Sequence, residues 1–327
     1  MTAAAFPRRH FVLATLAGLS AGPALAQGAW PDKPIRMVVP YTPGGGTDSV
    51  TRHITEKVGA AMRWTFLVDN RPGAGGNIGL DLVAKARPDG YTLGMGQTAN
   101  LAINPALLPK MPFDPAKDLV PVALAAEQPT VMVVRADAPW KTLADAVAAA
   151  KAARGGTKQA LAGTGTVGHL AGEMLAIQAG FQSISVPYKG AAPAVTDLLG
   201  GQTDYMFATP QSVLGMLRGG KLRALAVTSA KRMAVLPEVP TVAESGYPGF
   251  AAVDWKLIVA PAGTPADVVQ RVNAAVEQAL AQPALAALLH AEGSAPMGGS
   301  PAQAAQYLKA EQGKWAALVR QANIKLD

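Results

Sequence analysis

The chain has 327 residues, half of them hydrophobic, and contains no cysteine. This length allows two globular domains, each with its own core. The absence of cysteine excludes disulfides, iron–sulfur clusters, cysteine-ligated zinc and a lipid anchor on a processed cysteine. The formal net charge is +7, but the basic residues are scattered, whereas nucleic-acid binding needs a basic patch interleaved with aromatic side chains. We therefore expect no nucleic-acid partner.

Residues 1–26 have the pattern of a cleavable signal peptide. Arg8 and Arg9 precede an apolar run over 11–19, and the small-x-small sequence at 24–26 is typical of a cleavage site. The apolar run is too short to span a membrane. The paired arginines resemble a twin-arginine export signal, and the general secretory route remains the alternative. We expect a mature periplasmic protein that starts at Gln27, with 27 basic and 22 acidic residues and hence a charge of +5.

The mature chain opens with a strand, a glycine-rich loop and a helix. Residues 34–40 are typical of a buried strand, and apolar residues recur at helical spacing from Val50. Between them, residues 41–48 read Tyr-Thr-Pro-Gly-Gly-Gly-Thr-Asp. Glycine lets a ligand approach backbone N–H groups, and a helix N-terminus carries partial positive charge. This loop is a candidate anion site, with a tight turn that binds nothing as the alternative.

The same plan recurs in the next units. Residues 65–68 form a predicted strand before the glycine-rich segment 70–76, and a helix is predicted over 77–86. Residues 91–95 form a third strand, with Gln97 and Thr98 just beyond it. Strands that alternate with helices predict βαβ units in a mostly parallel sheet, where ligands bind beyond the carboxyl ends of the strands.

The chain is then predicted to cross to a second domain and to return. Apolar runs at 119–124 and 131–134 flank Glu-Gln-Pro at 127–129, which indicates a crossing, and the strand predicted over 254–259 indicates the return. The expected domains are 27–126 plus 254–327 for the first and 127–253 for the second.

Three further loops follow strands in the second domain, at 162–169, 187–190 and 208–210. The first is rich in glycine and threonine, which offer N–H and hydroxyl donors to a small anion. Lys189 follows a strand end directly and can pair with an anionic ligand, with a solvated lysine as the alternative.

Capping residues mark several helix starts. Thr142 with Asp145 matches a capping box. The pairs at 264–265 and 300–301 each combine a hydroxyl residue with proline, which predicts an N-cap followed by proline at the first helical position.

Cofactor and catalytic motifs give no positive signal. Residues 163–168 match G-x-G-x-x-G, but a dinucleotide site also needs an acidic residue about 20 positions on, and 183–187 hold none. His53, His169 and His290 are far apart and lack metal-ligand spacing, and neither H-E-x-x-H nor G-x-S-x-G occurs. We expect no cofactor, no metal and no catalytic residues.

The candidate ligand-binding residues lie in the loops that follow predicted strands. Asp48 can brace its loop or accept an amine from a ligand, and His169 can line a cleft or cap its helix. The full candidate set is Tyr41, Thr42, Gly44, Gly45, Gly46, Asp48, Gly76, Asn77, Gln97, Thr98, Gly163, Thr164, Gly165, Thr166, His169, Tyr188, Lys189, Ala208 and Thr209.

Taken together, the motifs resemble one family, the periplasmic solute-binding receptors of tripartite tricarboxylate transporters, often called the Bug family. The matching segments occur in order over nearly the whole mature chain, at 30–36, 43–45, 70–76, 85–93, 169–171, 186–190, 197–202, 221–228 and 260–265. Leu257 departs from the family pattern, which usually has glycine there, and Thr42 falls where the pattern fixes no residue. These two positions leave the identity of the ligand open.

The resemblance implies a type II periplasmic-binding fold, in which two α/β domains are joined by two crossing hinge strands and close on a ligand. It also implies a small carboxylate held by loop backbone, hydroxyl groups and bound water, and integral membrane transporter subunits as partners. We expect a monomer that captures its ligand between the domains. Two alternatives remain: a receptor that signals without transport, and an exported hydrolase.

Overall fold

The structure is a computed structural model that describes residues 1–2, 30–188 and 190–324. It divides into a short unit, Met1–Asp32, and a large unit, Lys33–Asp327. Every strand and helix of the described residues lies in the large unit. Apart from its first two residues, the predicted signal peptide lies outside the described residues, and so does Lys189.

The described residues contain eleven strands. In chain order they are β1 Ile35–Val39, β2 Phe66–Asn70, β3 Thr92–Gln97, β4 Leu119–Pro129, β5 Val131–Arg135, β6 Thr157–Leu161, β7 Ser183–Pro187, β8 Tyr205–Ala208, β9 Leu222–Val227, β10 Val253–Pro261 and β11 Ala295–Pro296.

The same residues contain ten α-helices, with a π-helical turn at Ala99–Ile103 and a 3₁₀ turn at Ala74–Gly76. The helices are α1 Gly46–Met62, α2 Asn77–Ala84, α3 Asn104–Leu107, α4 Leu143–Ala152, α5 Val167–Ala179, α6 Ala191–Leu199, α7 Pro210–Arg218, α8 Ala266–Leu280, α9 Pro283–Ala291 and α10 Pro301–Gln321.

The strands form two sheets, which confirms the predicted pair of α/β domains. The first sheet has the order β11-β4-β10-β3-β1-β2, and the second has the order β7-β6-β8-β5-β9. In each sheet most strands run in the same direction, as expected, but β10, β11 and β5 run against the others, so both sheets are mixed. Strand β10 runs antiparallel to β3 and β4, and β5 runs antiparallel to β8 and β9.

The mixed direction follows from how the chain enters each sheet. The parallel pairs β1–β2, β1–β3, β6–β7 and β6–β8 come from strand-helix-strand units. By contrast, β5 and β10 are the first strands after the chain has passed from one sheet to the other, and each is inserted against the direction of both neighbours.

Two threonines hold the crossings together. Thr130 lies between β4 and β5, and Thr228 follows β9 directly. The Thr130 amide donates to Thr228 Oγ1 at 2.8 Å, and the Thr228 amide donates to the Thr130 carbonyl at 3.0 Å. The two chain passages between the sheets are therefore joined to each other. The domain boundaries expected at 126/127 and 253/254 stay a prediction.

Two of the three predicted helix starts are confirmed. Capping boxes occur at Thr142 with Asp145 and at Ser300 with Gln303. The prediction for Thr264 was wrong, because α8 has Pro265 at its N-cap and Ala266 as its first helical residue. The Thr264 hydroxyl instead donates to the Pro261 carbonyl at 2.8 Å, so it serves the turn that leaves β10.

A buried carboxylate ties β10 to the last helix. Trp255 on β10 and Trp315 on α10 are both fully buried. Their indole N–H groups both donate to Glu311 Oε2, each at 2.8 Å. The other carboxylate oxygen of Glu311 accepts from Lys314. One side chain therefore satisfies two buried donors in the core of the first domain.

A carboxylate at the start of α1 holds the first glycine-rich loop. Asp48 is buried, and its Oδ2 accepts from the Gly44 amide at 2.9 Å and from Arg52 Nε at 2.9 Å. Its Oδ1 accepts from Asn70 Nδ2 at 2.9 Å. Burial raises the pKa of Asp48, but the hydrogen bonds from Arg52, Gly44 and Asn70 outweigh it and leave the pKa below its ordinary value. Asp48 thus braces the loop that joins β1 to α1.

We predict that Glu311→Ala lowers the free energy of unfolding by about 2–4 kcal/mol, since each buried donor left without an acceptor costs roughly 1–3 kcal/mol. Glu311→Gln keeps one acceptor oxygen and should lose less. Denaturant unfolding at pH 7 measures both. Glu56→Ala is the control, because Glu56 is an exposed glutamate; an equal loss in the two alanine variants would contradict the shared acceptor role.

We predict that Asp48→Asn removes stability at pH 7 and removes progressively less as the pH falls. The folded-state pKa of Asp48 lies below its unfolded value, so its contribution is present above the unfolded value near 3.8 and is lost as the pH falls through the folded pKa. Hydrogen bonds to a charged group suggest a loss of about 1.5–3 kcal/mol at pH 7. Urea titrations between pH 7 and pH 2.5 compare the two proteins, and a difference that does not shrink in acid would refute the prediction.

Candidate functional site

The loops beyond β1, β2 and β3 are held together by side chains. Asn70 Nδ2 donates to the Tyr41 carbonyl at 3.0 Å. The Tyr41 hydroxyl donates to the Gly75 carbonyl at 3.1 Å and accepts from Asn100 Nδ2 at 3.1 Å. Thr47 at the start of α1 donates to Gln97 Oε1. As expected for the carboxyl ends of parallel strands, the three loops meet at one edge of the sheet.

Tyr41 is a neutral donor within this network. Burial raises its pKa far above the ordinary value, and the negative charge of Asp254 raises it further, against weaker effects from hydrogen bonds with Asn100 and Gln97. The phenol therefore keeps its proton throughout the physiological range.

Gly76 is required for packing. Its φ is +92°, a conformation that residues with a Cβ rarely adopt. A Cβ there would also lie 2.5 Å from Asn100 Nδ2 and 2.8 Å from the Tyr41 hydroxyl. The absence of a side chain at this position thus has a reason that needs no ligand.

The loop between β6 and α5 is held by hydrogen bonds among its own residues and the first turn of α5. The Thr166 hydroxyl caps α5 by accepting from the His169 amide at 3.3 Å, and it donates to the Gly163 carbonyl at 2.9 Å. The Gly165 amide donates to His169 Nδ1 at 3.1 Å. Because Nδ1 accepts, the ring of neutral His169 carries its proton on Nε2, which lies 3.7 Å from Glu173 Oε1. His169 therefore stabilises the loop between β6 and α5 by accepting a hydrogen bond from its backbone.

The last glycine of the G-x-G-x-x-G sequence also has a packing reason. A Cβ on Gly168 would lie 2.3 Å from the Phe207 carbonyl oxygen, so only glycine lets α5 start this close to β8. This contact accounts for the third glycine without a dinucleotide.

Residues from both sheets enclose a cavity of about 190 Å³, called the central cavity here. It is lined by Gln97, Ala99 and Asp254 from the first sheet and its connections, by Thr130 at the crossing, and by Ala162, Thr166, Val167, Gly168, Ala191, Met206, Phe207 and Thr209 from the second sheet and its loops. The first turn of α5 therefore faces the cavity.

The glycine-rich loop of the first domain also approaches the second domain. A Cβ on Gly46 would lie 2.9 Å from Gln128 Oε1 and 3.4 Å from Nε2 of Gln211, which is on α7. A Cβ on Gly165 would lie 2.8 Å from Leu107 Cδ2 on α3. At Gly165 a side chain would therefore have to displace a residue of the other domain. The close neighbour of Gly46, by contrast, is Gln128 on β4 of the first sheet, and Gln211 lies at an ordinary contact distance.

An ion pair on β10 borders the central cavity. Lys256 is fully buried, and its Nζ donates to Asp254 Oδ2 at 2.9 Å, to the Asp254 carbonyl at 3.1 Å and to Gln128 Oε1 at 3.4 Å. Asp254 Oδ1 is buried and has no hydrogen-bond partner in the protein. The carboxylate thus has one oxygen held by lysine and one without a donor.

Three predicted site residues, Gln97, Thr166 and Thr209, line the central cavity. Of the others, Thr98 is buried, its hydroxyl donating to the Val253 carbonyl at 3.1 Å and accepting from the Trp255 amide at 2.9 Å. The remaining described candidates lie in the loops around the cavity or in the elements beside it: Tyr41, Thr42, Gly44, Gly45, Gly46, Asp48, Gly76, Asn77, Gly163, Thr164, Gly165, His169, Tyr188 and Ala208.

Several of these surrounding residues are engaged with the protein itself. Asn77 Oδ1 accepts from Asn104 Nδ2 at 3.0 Å, and the Tyr188 hydroxyl donates to Asp197 Oδ2 at 2.7 Å. Lys189 lies outside the described residues. The assignment of the whole set to ligand binding stays a prediction.

The sequence reasoning missed Asp254, Thr130 and the apolar lining. One signal was present for Asp254: it stands two residues from Lys256 on an otherwise apolar strand, so both charges lie on one face. Two charged residues on the same face of a buried strand indicate a pair that faces something polar. The small and apolar lining residues, such as Ala99 and Phe207, carried no such signal.

One serine and one histidine approach each other, but away from the cavity. Ser49 Oγ lies 3.3 Å from His53 Nε2 on the same helix, and it donates to the Glu292 carboxylate oxygens at 2.6 and 2.8 Å. The hydroxyl is thus held by a carboxylate. The described residues that line the central cavity include no histidine.

Two features are absent from the described residues. None of their helices combines the length and apolarity that crossing a bilayer needs. Within the same ranges, histidine, aspartate and glutamate side chains form no group of three that could hold a metal ion.

Solved structures with the same fold include carboxylate complexes. A protein of R. palustris, described with adipate, is 34% identical, with a TM-score of 0.81 over 90% of this chain and 99% of that one. MatC from Rhodopseudomonas palustris, described with bound malate, is 33% identical, with a TM-score of 0.74 over 88% of this chain and 99% of that one.

The sequence comparisons agree with the fold. Protein BugT of Bordetella pertussis is 37% identical over 298 residues, which cover 91% of each chain. The model of the tripartite tricarboxylate transporter family receptor matches residues 50–324. The chain folds into two mixed β-sheets flanked by helices, with a cavity between them, and the family model matches most of its length. This chain therefore belongs to the tripartite tricarboxylate transporter receptor family, the solute-binding receptors that include the Bug proteins.

Proposed function

We propose that this protein is a periplasmic receptor that binds a small carboxylate in the central cavity and presents it to the membrane subunits of a tripartite tricarboxylate transporter. The observation that carries the proposal is the position of the α5 N-terminus: Thr166, Val167 and Gly168 line the cavity at the start of a helix of 13 residues.

The start of α5 suits a carboxylate. The first N–H groups of a helix have no acceptor within the helix, and they carry the positive end of its dipole. Such a terminus binds anions without a formal positive charge. Thr209, which precedes α7, also lines the cavity and adds a hydroxyl group.

Neutral groups supply most of the anchoring in this proposal. The buried ammonium of Lys256 is engaged by Asp254 and Gln128, so it has little left to offer an anion. Apart from Asp254, the side chains that line the cavity are amide, hydroxyl or apolar groups. A cavity of about 190 Å³ suits a small acid rather than a large one. The related proteins described with adipate and with malate support the same ligand class.

The wider assignment follows from the family and the sequence. We infer that residues 1–26 are removed on export, by the twin-arginine or the general route, and that the mature receptor is monomeric and binds no nucleic acid. We also infer domains at 27–126 plus 254–327 and at 127–253, which close on the ligand as hinged bodies.

A receptor that senses its ligand without transport remains the second candidate, because it would need the same cavity. A hydrolase is disfavoured. Ser49 and His53 lie away from the cavity, and the Ser49 hydroxyl is bound to Glu292. A neighbouring gene for a membrane subunit would favour transport over sensing.

We predict that small mono- or dicarboxylates raise the melting temperature of the mature protein and that the corresponding amides do not. A ligand at about 100 times its dissociation constant adds roughly 2.7 kcal/mol of stability. A thermal-shift screen of carboxylates from two to eight carbons, each with its amide, measures this. If no carboxylate raises the melting temperature, the proposed function is wrong.

We predict that Thr166→Val weakens carboxylate binding and also costs about 1 kcal/mol of stability, because the Thr166 hydroxyl caps α5, whose first turn lines the cavity. Thr166→Ser keeps the hydroxyl and is the matched control. Urea unfolding and calorimetric titration separate the two effects, and a valine variant as stable as the serine variant would contradict the capping role.

A further inference from the structure

We propose that Asp254 makes this receptor select carboxylates that also carry a hydrogen-bond donor, either an ammonium or a hydroxyl group. The inference rests on the proposed function, since it concerns what else the ligand of the central cavity must carry. It assigns a specificity role to a residue on β10 that borders the cavity.

One oxygen of the Asp254 carboxylate lacks a partner. Asp254 Oδ1 is buried, belongs to a residue that lines the central cavity, and accepts no hydrogen bond from the protein. Buried polar atoms are nearly always hydrogen-bonded, and one without a partner costs free energy. A donor on a ligand in the cavity would satisfy this oxygen, whereas a plain methylene group would leave it unsatisfied.

Lys256 fixes the position of the Asp254 carboxylate. Lys256 Nζ holds Asp254 Oδ2 at 2.9 Å and also donates to the Asp254 carbonyl, so one lysine fixes both the side chain and its backbone. Gln128 accepts from the same ammonium group at 3.4 Å. Since Lys256 is fully buried, it cannot leave the pair for solvent. Asp254 Oδ1 is therefore a preorganised acceptor.

The charges of Asp254 and Lys256 offset each other. An unpaired aspartate would repel a carboxylate ligand, but the ammonium of Lys256 compensates the charge of Asp254. The pair can therefore border an anion site without excluding anions. What remains at the cavity is a directional requirement for a donor, together with a local preference for positive charge near Oδ1.

Asp254 and the start of α5 contribute to the cavity from different sheets. Asp254 comes from β10 of the first sheet, while Thr166 to Gly168 come from the second. A ligand that places its carboxylate at the α5 N-terminus and its donor at Asp254 touches both domains. Such a ligand stabilises the arrangement in which the two sheets enclose the cavity, so the donor adds to affinity through the same contact that favours closure.

The test uses two sets of acids that differ only at one carbon: succinate, malate and aspartate, and glutarate, 2-hydroxyglutarate and glutamate. Calorimetric titration of the mature wild-type protein should give, in at least one set, a dissociation constant ten times lower or better for a donor-bearing acid than for the plain acid. The hydroxyl and amino members of the set show which donor is preferred.

The variant Asp254→Val with Lys256→Met removes the acceptor and its counter-ion together, so no buried charge is left alone. In this variant the ratio between the plain and the donor-bearing acid should fall to about one. The matched control is Asp69→Val with Arg36→Met, which removes an ion pair between β1 and β2 that does not line the cavity. The control should keep the wild-type ratio.

Equal affinities for the plain and donor-bearing acids in wild-type protein would overturn the role of Asp254 and leave the carboxylate receptor standing. The same holds if the double variant keeps the preference. If the double variant does not fold, Asp254→Asn takes its place: Lys256 holds the remaining oxygen, an amide N–H donor replaces the Oδ1 acceptor, and the preference for donor-bearing acids should be lost in the same way. Failure of every carboxylate, here and in the thermal-shift screen, would overturn the receptor function and this inference together.

Discussion

Strand β10 imposes the constraint on which the rest of the structure depends, because one of its faces packs in the core while the other borders the central cavity. It lies between β3 and β4 and runs against both. Successive side chains of a strand point to opposite faces. Trp255 therefore reaches the core, where it shares Glu311 with Trp315, while Asp254 and Lys256 take the other face beside the central cavity. Fixing the tryptophan in the core also fixes the position of the ion pair.

This ion pair is not an obvious source of stability. Taking an ammonium and a carboxylate out of water costs several kcal/mol each, and their attraction offsets this cost only when the remaining hydrogen bonds are made. The Lys256 ammonium donates three hydrogen bonds, whereas Asp254 Oδ1 accepts none. Within the proposed function, the pair therefore has its physical reason in the ligand: it gives the cavity a fixed acceptor without giving it a net negative charge.

The loops around the cavity are rigid because their side chains bind one another. Tyr41 bonds to Asn100 and Gly75, and Thr166 bonds to His169 and Gly163. These bonds use up many of the polar groups that a sequence reader would assign to a ligand. What stays free for an anion is mainly the first turn of α5. A site whose loops are already ordered loses little conformational entropy when a ligand arrives.

The sequence by itself determined the strand-loop-helix units, the caps at Thr142 and Ser300 and the family, because these depend on periodicity, capping chemistry and motifs read along the chain. It also indicated which loops surround the site and three of the residues that line the cavity, Gln97, Thr166 and Thr209. Only the tertiary structure decided the direction of β5 and β10, since strand direction depends on how the chain crosses between sheets. The same crossing brought Asp254 to the cavity that the start of α5 also lines. The tertiary structure also explains why glycine is required at Gly76 and Gly168. At both positions a Cβ would clash with residues far away in sequence, and a local sequence pattern does not show which distant residues will lie close.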